Sequence, residues 1–146
     1  METNQTKAIA AFKSGLNCAQ SIIVAFADDL DFDKNAASNI AVGFGGGMGR
    51  LQETCGAVTG AFMVLGMYNS GIHQDNLALK NATYPMIRLF DAKFKTIHQT
   101  TNCRSLLQCD LSSEDGHTYA VENKLFEKIC EKCIVDAVGI VEELII

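Results

Sequence analysis

Apolar residues recur at intervals of three and four along most of the chain, which is the spacing of one buried face of an α-helix. In the segment after Asn17, for example, Ile22, Ile23, Phe26 and Leu30 form such a stripe. No useful length of sequence alternates apolar and polar residues as a half-exposed strand would. No linker rich in Pro, Gly or Ser divides the chain. The pattern therefore predicts an all-α protein, with residues 1–146 forming a single-domain, compact bundle of about five to seven helices and a glycine-rich loop.

Short polar residues mark where several of these helices should begin. Asn17, followed by Gln20, has the capping-box pattern, and Asp33 and Asn102 are also good N-cap residues. Ser112 and Asp115 form a further Ser/Thr-x-x-Asp/Glu pattern. The expected helices span residues 6–12, 17–30, 33–42, 52–67, 103–108 and 118–144. A further helical region lies between residues 74 and 103 and ends near residue 98, with a kink or a new start at residue 85.

The segment 43–49 contains five glycines and cannot continue a helix, because each glycine costs about 1 kcal/mol relative to alanine. Its spacing fits neither the dinucleotide-binding pattern nor a Walker loop. A loop that leads into a helix start favours an anion site, but a close crossing of two backbone segments would also explain the glycines. Both interpretations stay open. The candidate anion site consists of Gly45, Gly46, Gly47, Gly49 and Arg50.

Charge and hydropathy narrow the function classes. Lys and Arg total 12 against 17 Asp and Glu, giving a net charge of −5, so we expect no nucleic-acid partner. The longest nearly apolar run, residues 56–67, is far shorter than the roughly 18 residues a membrane helix needs. No basic and apolar leader opens the sequence. The expectation is a cytoplasmic protein without membrane insertion, whose thiols stay reduced unless chemistry uses them.

Six cysteines are the unusual feature, and they are too few for a disulfide-built scaffold. Cys18 is expected at the first position of its helix, and Cys55 in the first turns of the helix after the glycine loop. A helix N-terminus favours the thiolate, so both are candidate nucleophiles; the alternative is that each is a small buried hydrophobe. Cys130 and Cys133 form a lone CxxC within the last predicted helix, with no second pair at a zinc-site spacing.

Several segments resemble the C-GCAxxG-C-C family in order and spacing: residues 15–20, 43–50 and 53–61, then 103–107 and 133–137. The family consists of small bacterial and archaeal proteins to which a redox activity is ascribed. One departure is that this chain has Thr54-Cys55-Gly56 where the family motif often has Gly-Cys-Ala. The resemblance implies that Cys18, Cys55, Cys103 and Cys133 form the functional set, with Cys109 and Cys130 as extras.

The leading hypothesis is therefore a redox-active thiol protein that uses a reversible disulfide. Cys18 or Cys55 would be the attacking thiolate, and Cys103 or Cys133 the resolving partner. One alternative is a module in which Cys18, Cys55, Cys103 and Cys133 ligate zinc or an iron–sulfur cluster.

A second alternative is a helical partner protein whose cysteines belong to the core. Many relatives are encoded near transporter genes, which suggests a redox partner or a transporter as the binding partner. A homo-oligomer is compatible with the sequence. The resemblance names no cofactor and does not say whether the protein is an enzyme.

Overall fold

Eight α-helices make up most of residues 2–145, the part of the chain that the computed structural model describes. Three short turns join them: the 3-10 turn Val42–Phe44, the helical turn Gly45–Met48 and the π turn Phe126–Cys130. The prediction of an all-α fold is confirmed. The helices are α1 (Asn4–Lys13), α2 (Cys18–Ala27), α3 (Lys34–Ala41), α4 (Gly56–Ser70), α5 (Asn76–His98), α6 (Cys103–Leu107), α7 (Glu114–Glu122) and α8 (Glu131–Ile145).

Side-chain caps begin the helices where the sequence placed them. The Asn17 side chain accepts a hydrogen bond from the Gln20 amide at 2.9 Å, and the Gln20 side chain accepts one from the Asn17 amide at 3.0 Å, which completes the capping box of α2. Asp33 caps α3 and Asn102 caps α6 in the same way. The starts of α2 and α6 are therefore set by local hydrogen bonds.

Several boundaries differ from the prediction, and three of them have a local structural cause. The helix expected over residues 52–67 begins only at Gly56, because Gln52 has a left-handed φ of 56° and the next residues are extended. The cap of α7 is Ser113 rather than Ser112, and it accepts from the Gly116 amide. The helix expected over residues 118–144 is divided, because Lys124 also has a left-handed φ and a π turn follows it.

The core forms around α4, which packs against α2, α5 and α8. The contact with α2 is very close: a Cβ on Gly60 would lie 2.8 Å from the carbonyl oxygen of Ala19. The largest fully buried side chains include Phe26 of α2 and Phe90 and Phe94 of α5. This packing holds the N-terminal ends of α2 and α4 side by side.

Helix α5 is continuous over 23 residues, although Pro85 lies inside it. The sequence predicted a kink or a new start at Pro85, and the helix does not restart there. In the described part of the chain, no helix combines the length and the apolar character needed to cross a membrane.

Candidate thiol site

A cavity of about 410 Å³ lies where several helix ends meet, and thiols and apolar side chains line most of it. The four cysteines of the predicted set all line it, from the starts of α2, α4 and α6 and the first turn of α8. A fifth, Cys130, also lines it, although the sequence placed it among the extras. Cys109 is half-buried and is not part of the lining. The thiols in the cavity are Cys18, Cys55, Cys103, Cys130 and Cys133.

Two extended segments hold Cys55 and Cys103 next to each other. The Cys55 amide donates to the Thr101 carbonyl at 2.7 Å, and the Cys103 amide donates to the Glu53 carbonyl at 2.6 Å. Thr54 and Asn102 form an antiparallel bridge between these two bonds. Each segment then turns directly into a helix, so the N-termini of α4 and α6 open on the same cavity.

Glycines allow the loop 43–49 to approach these cysteines. Gly47 has a φ of 69°, and a Cβ there would lie 2.6 Å from both Cys103 Cβ and Gln52 Cα. A Cβ on Gly45 would lie 2.6 Å from the Asn17 side chain. Gly56 at the start of α4 faces Cys18, with its would-be Cβ 3.0 Å from Cys18 Cβ. These contacts favour the interpretation of the glycines as a close backbone crossing.

The candidate anion site also lies on the cavity. Its four glycines and Arg50 are all lining residues, and Arg50 is exposed at the rim. Within the loop, however, the Gly45, Gly46 and Gly47 carbonyls accept hydrogen bonds from the backbone of residues 50, 52 and 53. The loop is thus folded on itself, and anion binding there stays a prediction.

Gln52 is a site residue that the sequence did not indicate. It is buried, and its amide nitrogen donates to the Cys109 carbonyl at 2.8 Å while its amide oxygen accepts from the Leu111 amide at 2.8 Å. The Gln52 side chain also lowers the pKa of Cys103, against the larger effect of burial. This one side chain therefore ties the segment after α6 to the glycine loop and to the thiols.

Cys55 is the thiol whose environment favours the thiolate. It is the N-cap residue of α4 and is buried. A hydrogen bond from the Cys133 thiol is the largest of the effects that lower the pKa of Cys55. The nearby amides of Ala57 and Val58 lower it further, although neither makes a regular cap hydrogen bond. Burial acts in the opposite direction, and the net pKa is lowered.

Three other thiols of the cavity, Cys18, Cys103 and Cys133, are held neutral. A hydrogen bond to Cys130, followed by burial, raises the pKa of Cys18 well above its ordinary value. The bond donated to Cys55, followed by burial, raises the pKa of Cys133. Burial raises the pKa of Cys103 to about 12. Cys18 therefore differs from the expectation for a helix-start thiol, because the thiol contact and burial outweigh the favourable helix N-terminus.

A largely buried His–Asp hydrogen bond lies about one helix turn beyond Cys133. His98 Nε2 is 2.8 Å from a carboxylate oxygen of Asp136, and the imidazole packs on Phe94 with ring centroids 4.5 Å apart. The His98 side chain is only 10% exposed. The two residues lie 38 positions apart, so no local spacing in the sequence indicates their pairing. The Asp136 charge is one of the smaller effects that raise the pKa of Cys133.

The thiols influence one another most strongly in two pairs. Cys133 has the largest effect on the pKa of Cys55, and Cys130 has the largest effect on the pKa of Cys18. Within residues 2–145, no three His, Cys, Asp or Glu side chains are arranged to ligate one metal ion. In this conformation, the side chains do not fit a preformed zinc or iron–sulfur site, which needs about four converging ligands.

Comparison with known proteins places this site within a family. Residues 16–144 match the family model described as "Putative redox-active protein (C_GCAxxG_C_C)". The chain belongs to this family. The matched region of the C-GCAxxG-C-C protein contains all six cysteines and the glycine loop.

One relative matches most of the chain. The chain is 27% identical over 112 residues to an uncharacterized protein of Archaeoglobus fulgidus, covering 72% of this chain and 74% of the relative. No solved structure matches the chain significantly. The description of the C-GCAxxG-C-C family gives redox activity and specifies no reaction, so the chemistry has to be argued from the geometry of the thiols.

Proposed function

We propose that this C-GCAxxG-C-C protein carries out thiol–disulfide exchange, with Cys55 as the attacking thiolate and Cys133 as the resolving thiol. One observation carries the proposal: Cys55 combines a helix-start position, a hydrogen bond from the Cys133 thiol and a place on the cavity wall. A thiolate is the nucleophile in disulfide exchange, and a thiol in direct contact with it is suited to the second attack.

The reaction proceeds in two exchanges. The Cys55 thiolate attacks one sulfur of a substrate disulfide, forms a mixed disulfide and releases the first substrate thiolate. Cys133 then loses its proton to solvent or to the released thiolate and attacks Cys55 Sγ, which releases the second thiolate and leaves a Cys55–Cys133 disulfide. The substrate gains two electrons and the protein loses two. An external dithiol donor must reduce the protein again.

Cys133 is preferred to Cys103 as the resolving thiol because of its contact. The Cys133 thiol donates its hydrogen bond to Cys55 and has the largest effect on the Cys55 pKa, whereas Cys103 is linked to Cys55 only by the Cys55 charge, which raises the pKa of Cys103. Cys103 instead faces Gln52 and Gly47, which fix its place in the cavity wall. We therefore assign Cys103 the role of a wall residue that keeps the site closed.

The cavity indicates the substrate class. A volume of about 410 Å³ is within the range of small-ligand pockets, and its lining is mostly apolar. It can admit a small disulfide or a single cysteine side chain presented by a protein. Arg50, with Gly45, Gly46, Gly47 and Gly49, would attract an anionic group of such a substrate at the rim. Because all six cysteines are free, a reducing compartment such as the cytoplasm is the proposed location.

A Cys55→Ser variant tests the proposal. We expect its rate of reduction of a small disulfide, such as hydroxyethyl disulfide, to be at least about 100-fold lower than that of the wild type. Serine is not ionised at neutral pH and does not form a disulfide. The matched control is Cys109→Ser, which removes a half-buried thiol outside the cavity and should react as the wild type does. Equal rates for wild type and Cys55→Ser would contradict the assignment. Metal bound stoichiometrically to the wild type after anaerobic purification would favour the metal-binding alternative.

A further inference from the structure

We propose that Cys130 and Cys18 form a second redox-active dithiol in the same cavity, so that the site gives up four electrons when it forms two disulfides. The inference rests on the proposed function of Cys55 and Cys133. It assigns a reaction to Cys130, which lies outside the set that the family resemblance implies, and makes the two cysteines of the CxxC serve different partners.

The position of Cys130 follows from an irregularity in the last helical region. Cys130 is the final residue of the π turn Phe126–Cys130, in which the Glu131 amide donates to the Phe126 carbonyl five residues back. A π turn inserts one residue into a helix, re-aims the side chains around it and is frequent at functional sites. Cys130 lines the cavity from the end of this turn, three residues before Cys133, and is 9% exposed.

Cys18 meets Cys130 from the opposite wall. It is the first residue of α2, directly after the capping box of Asn17 and Gln20, and it is 9% exposed. Gly56 leaves the space beside it, since a Cβ there would lie 3.0 Å from Cys18 Cβ. Both thiols line the same cavity, and Cys130 has the largest effect on the pKa of Cys18, as Cys133 has on that of Cys55.

The adjacency of the two pairs permits a relay. Once Cys55 and Cys133 are joined, the Cys130 thiolate attacks Cys133 Sγ, forms the Cys130–Cys133 disulfide and releases Cys55 as a thiolate. Cys18 then attacks Cys130 Sγ, forms the Cys18–Cys130 disulfide and releases Cys133, which takes up a proton. Two electrons pass from Cys18 and Cys130 to Cys55 and Cys133. Because Cys55 ends as a thiolate, the relay releases one proton to solution overall. Cys55 and Cys133 can then reduce a second substrate disulfide.

Peptide mapping of the wild type tests the inference. The reduced protein is incubated with excess hydroxyethyl disulfide, the remaining thiols are alkylated, and the disulfide-linked peptides are identified by mass spectrometry. We expect four of the six thiols to be lost, in the pairs Cys18–Cys130 and Cys55–Cys133, while Cys103 and Cys109 are alkylated. A Cys55–Cys133 disulfide with Cys18 and Cys130 still alkylated would overturn the inference and leave the proposed function intact. No disulfide at Cys55 at all would overturn the proposed function.

A pair of variants repeats the test by thiol count. Cys130→Ser should lose two thiols under the same conditions instead of four, because only the first pair remains. Cys109→Ser is the matched control and should still lose four. If Cys130→Ser also loses four thiols, another cysteine pairs with Cys18 and the inference is wrong. Mapping of the wild type decides the matter even if Cys130→Ser does not fold.

Discussion

Replacing Cys133 with Ser is expected to trap a substrate disulfide on Cys55. The serine hydroxyl can still donate a hydrogen bond to the Cys55 sulfur, so the first attack should continue. The second attack is lost, because serine does not form a disulfide. Intramolecular attack by a well-placed thiol is far faster than attack by a free thiol at millimolar concentration, so we expect the mixed disulfide to last at least about 100-fold longer than in the wild type.

The measurement is the intact mass of the variant after reaction with hydroxyethyl disulfide, followed by mapping of the adduct. The matched control is Cys103→Ser, which removes the other candidate for the resolving thiol. It should form the internal disulfide as the wild type does. A stable adduct in Cys103→Ser, and none in Cys133→Ser, would show that Cys103 resolves the mixed disulfide.

Replacing Gly47 with Ala is expected to destabilise the fold by about 2–5 kcal/mol. Its φ of 69° is in the left-handed region, which costs other residues about 1–2 kcal/mol. The added Cβ would also lie 2.6 Å from Cys103 Cβ and from Gln52 Cα, and overpacking of this kind costs about 1–3 kcal/mol. Because the Cβ atom of Cys103 must move to make room, the cavity wall that Cys103 forms should be disturbed as well.

Urea unfolding measures this effect, with Gly66→Ala as the matched control. Gly66 lies inside α4, and a Cβ there meets no atom within 4 Å. Alanine is the better helix former, so Gly66→Ala should stabilise the protein by about 0.5–1 kcal/mol. If the Gly47→Ala protein had the same free energy of unfolding as the Gly66→Ala protein, the inferred close approach of the glycine loop to Cys103 would be wrong.

The features that the sequence predicted are those fixed by nearby residues. The capping box of Asn17 and Gln20 involves residues three positions apart, and so does the cap that Asn102 provides for α6. Such contacts form within one helical turn, and they fix the starts of the helices that carry Cys18 and Cys103. The periodic apolar positions likewise gave the fold class.

What the sequence could not predict depends on contacts between distant segments. The position of Cys130 depends on a π turn and on the approach of α2, more than a hundred residues earlier. The late start of α4 depends on Gln52, whose side chain bonds residues 109 and 111. The pairing of His98 with Asp136 joins two helices. In each case the partner lies too far along the chain for spacing to reveal it.

The central claim is that Cys55 is the thiolate of this site, and its pH-dependent labelling in the wild type tests it most directly. The reduced protein is treated with iodoacetamide between about pH 6 and 10, and the extent of labelling at each cysteine is measured by mass spectrometry. We expect Cys55 to be labelled first, with a midpoint below the ordinary thiol pKa of 9.0, because the Cys133 hydrogen bond lowers its pKa. Cys18, Cys103 and Cys133 should become reactive only above that value. A midpoint for Cys55 at or above 9.0, with Cys109 labelled first at neutral pH, would contradict the account.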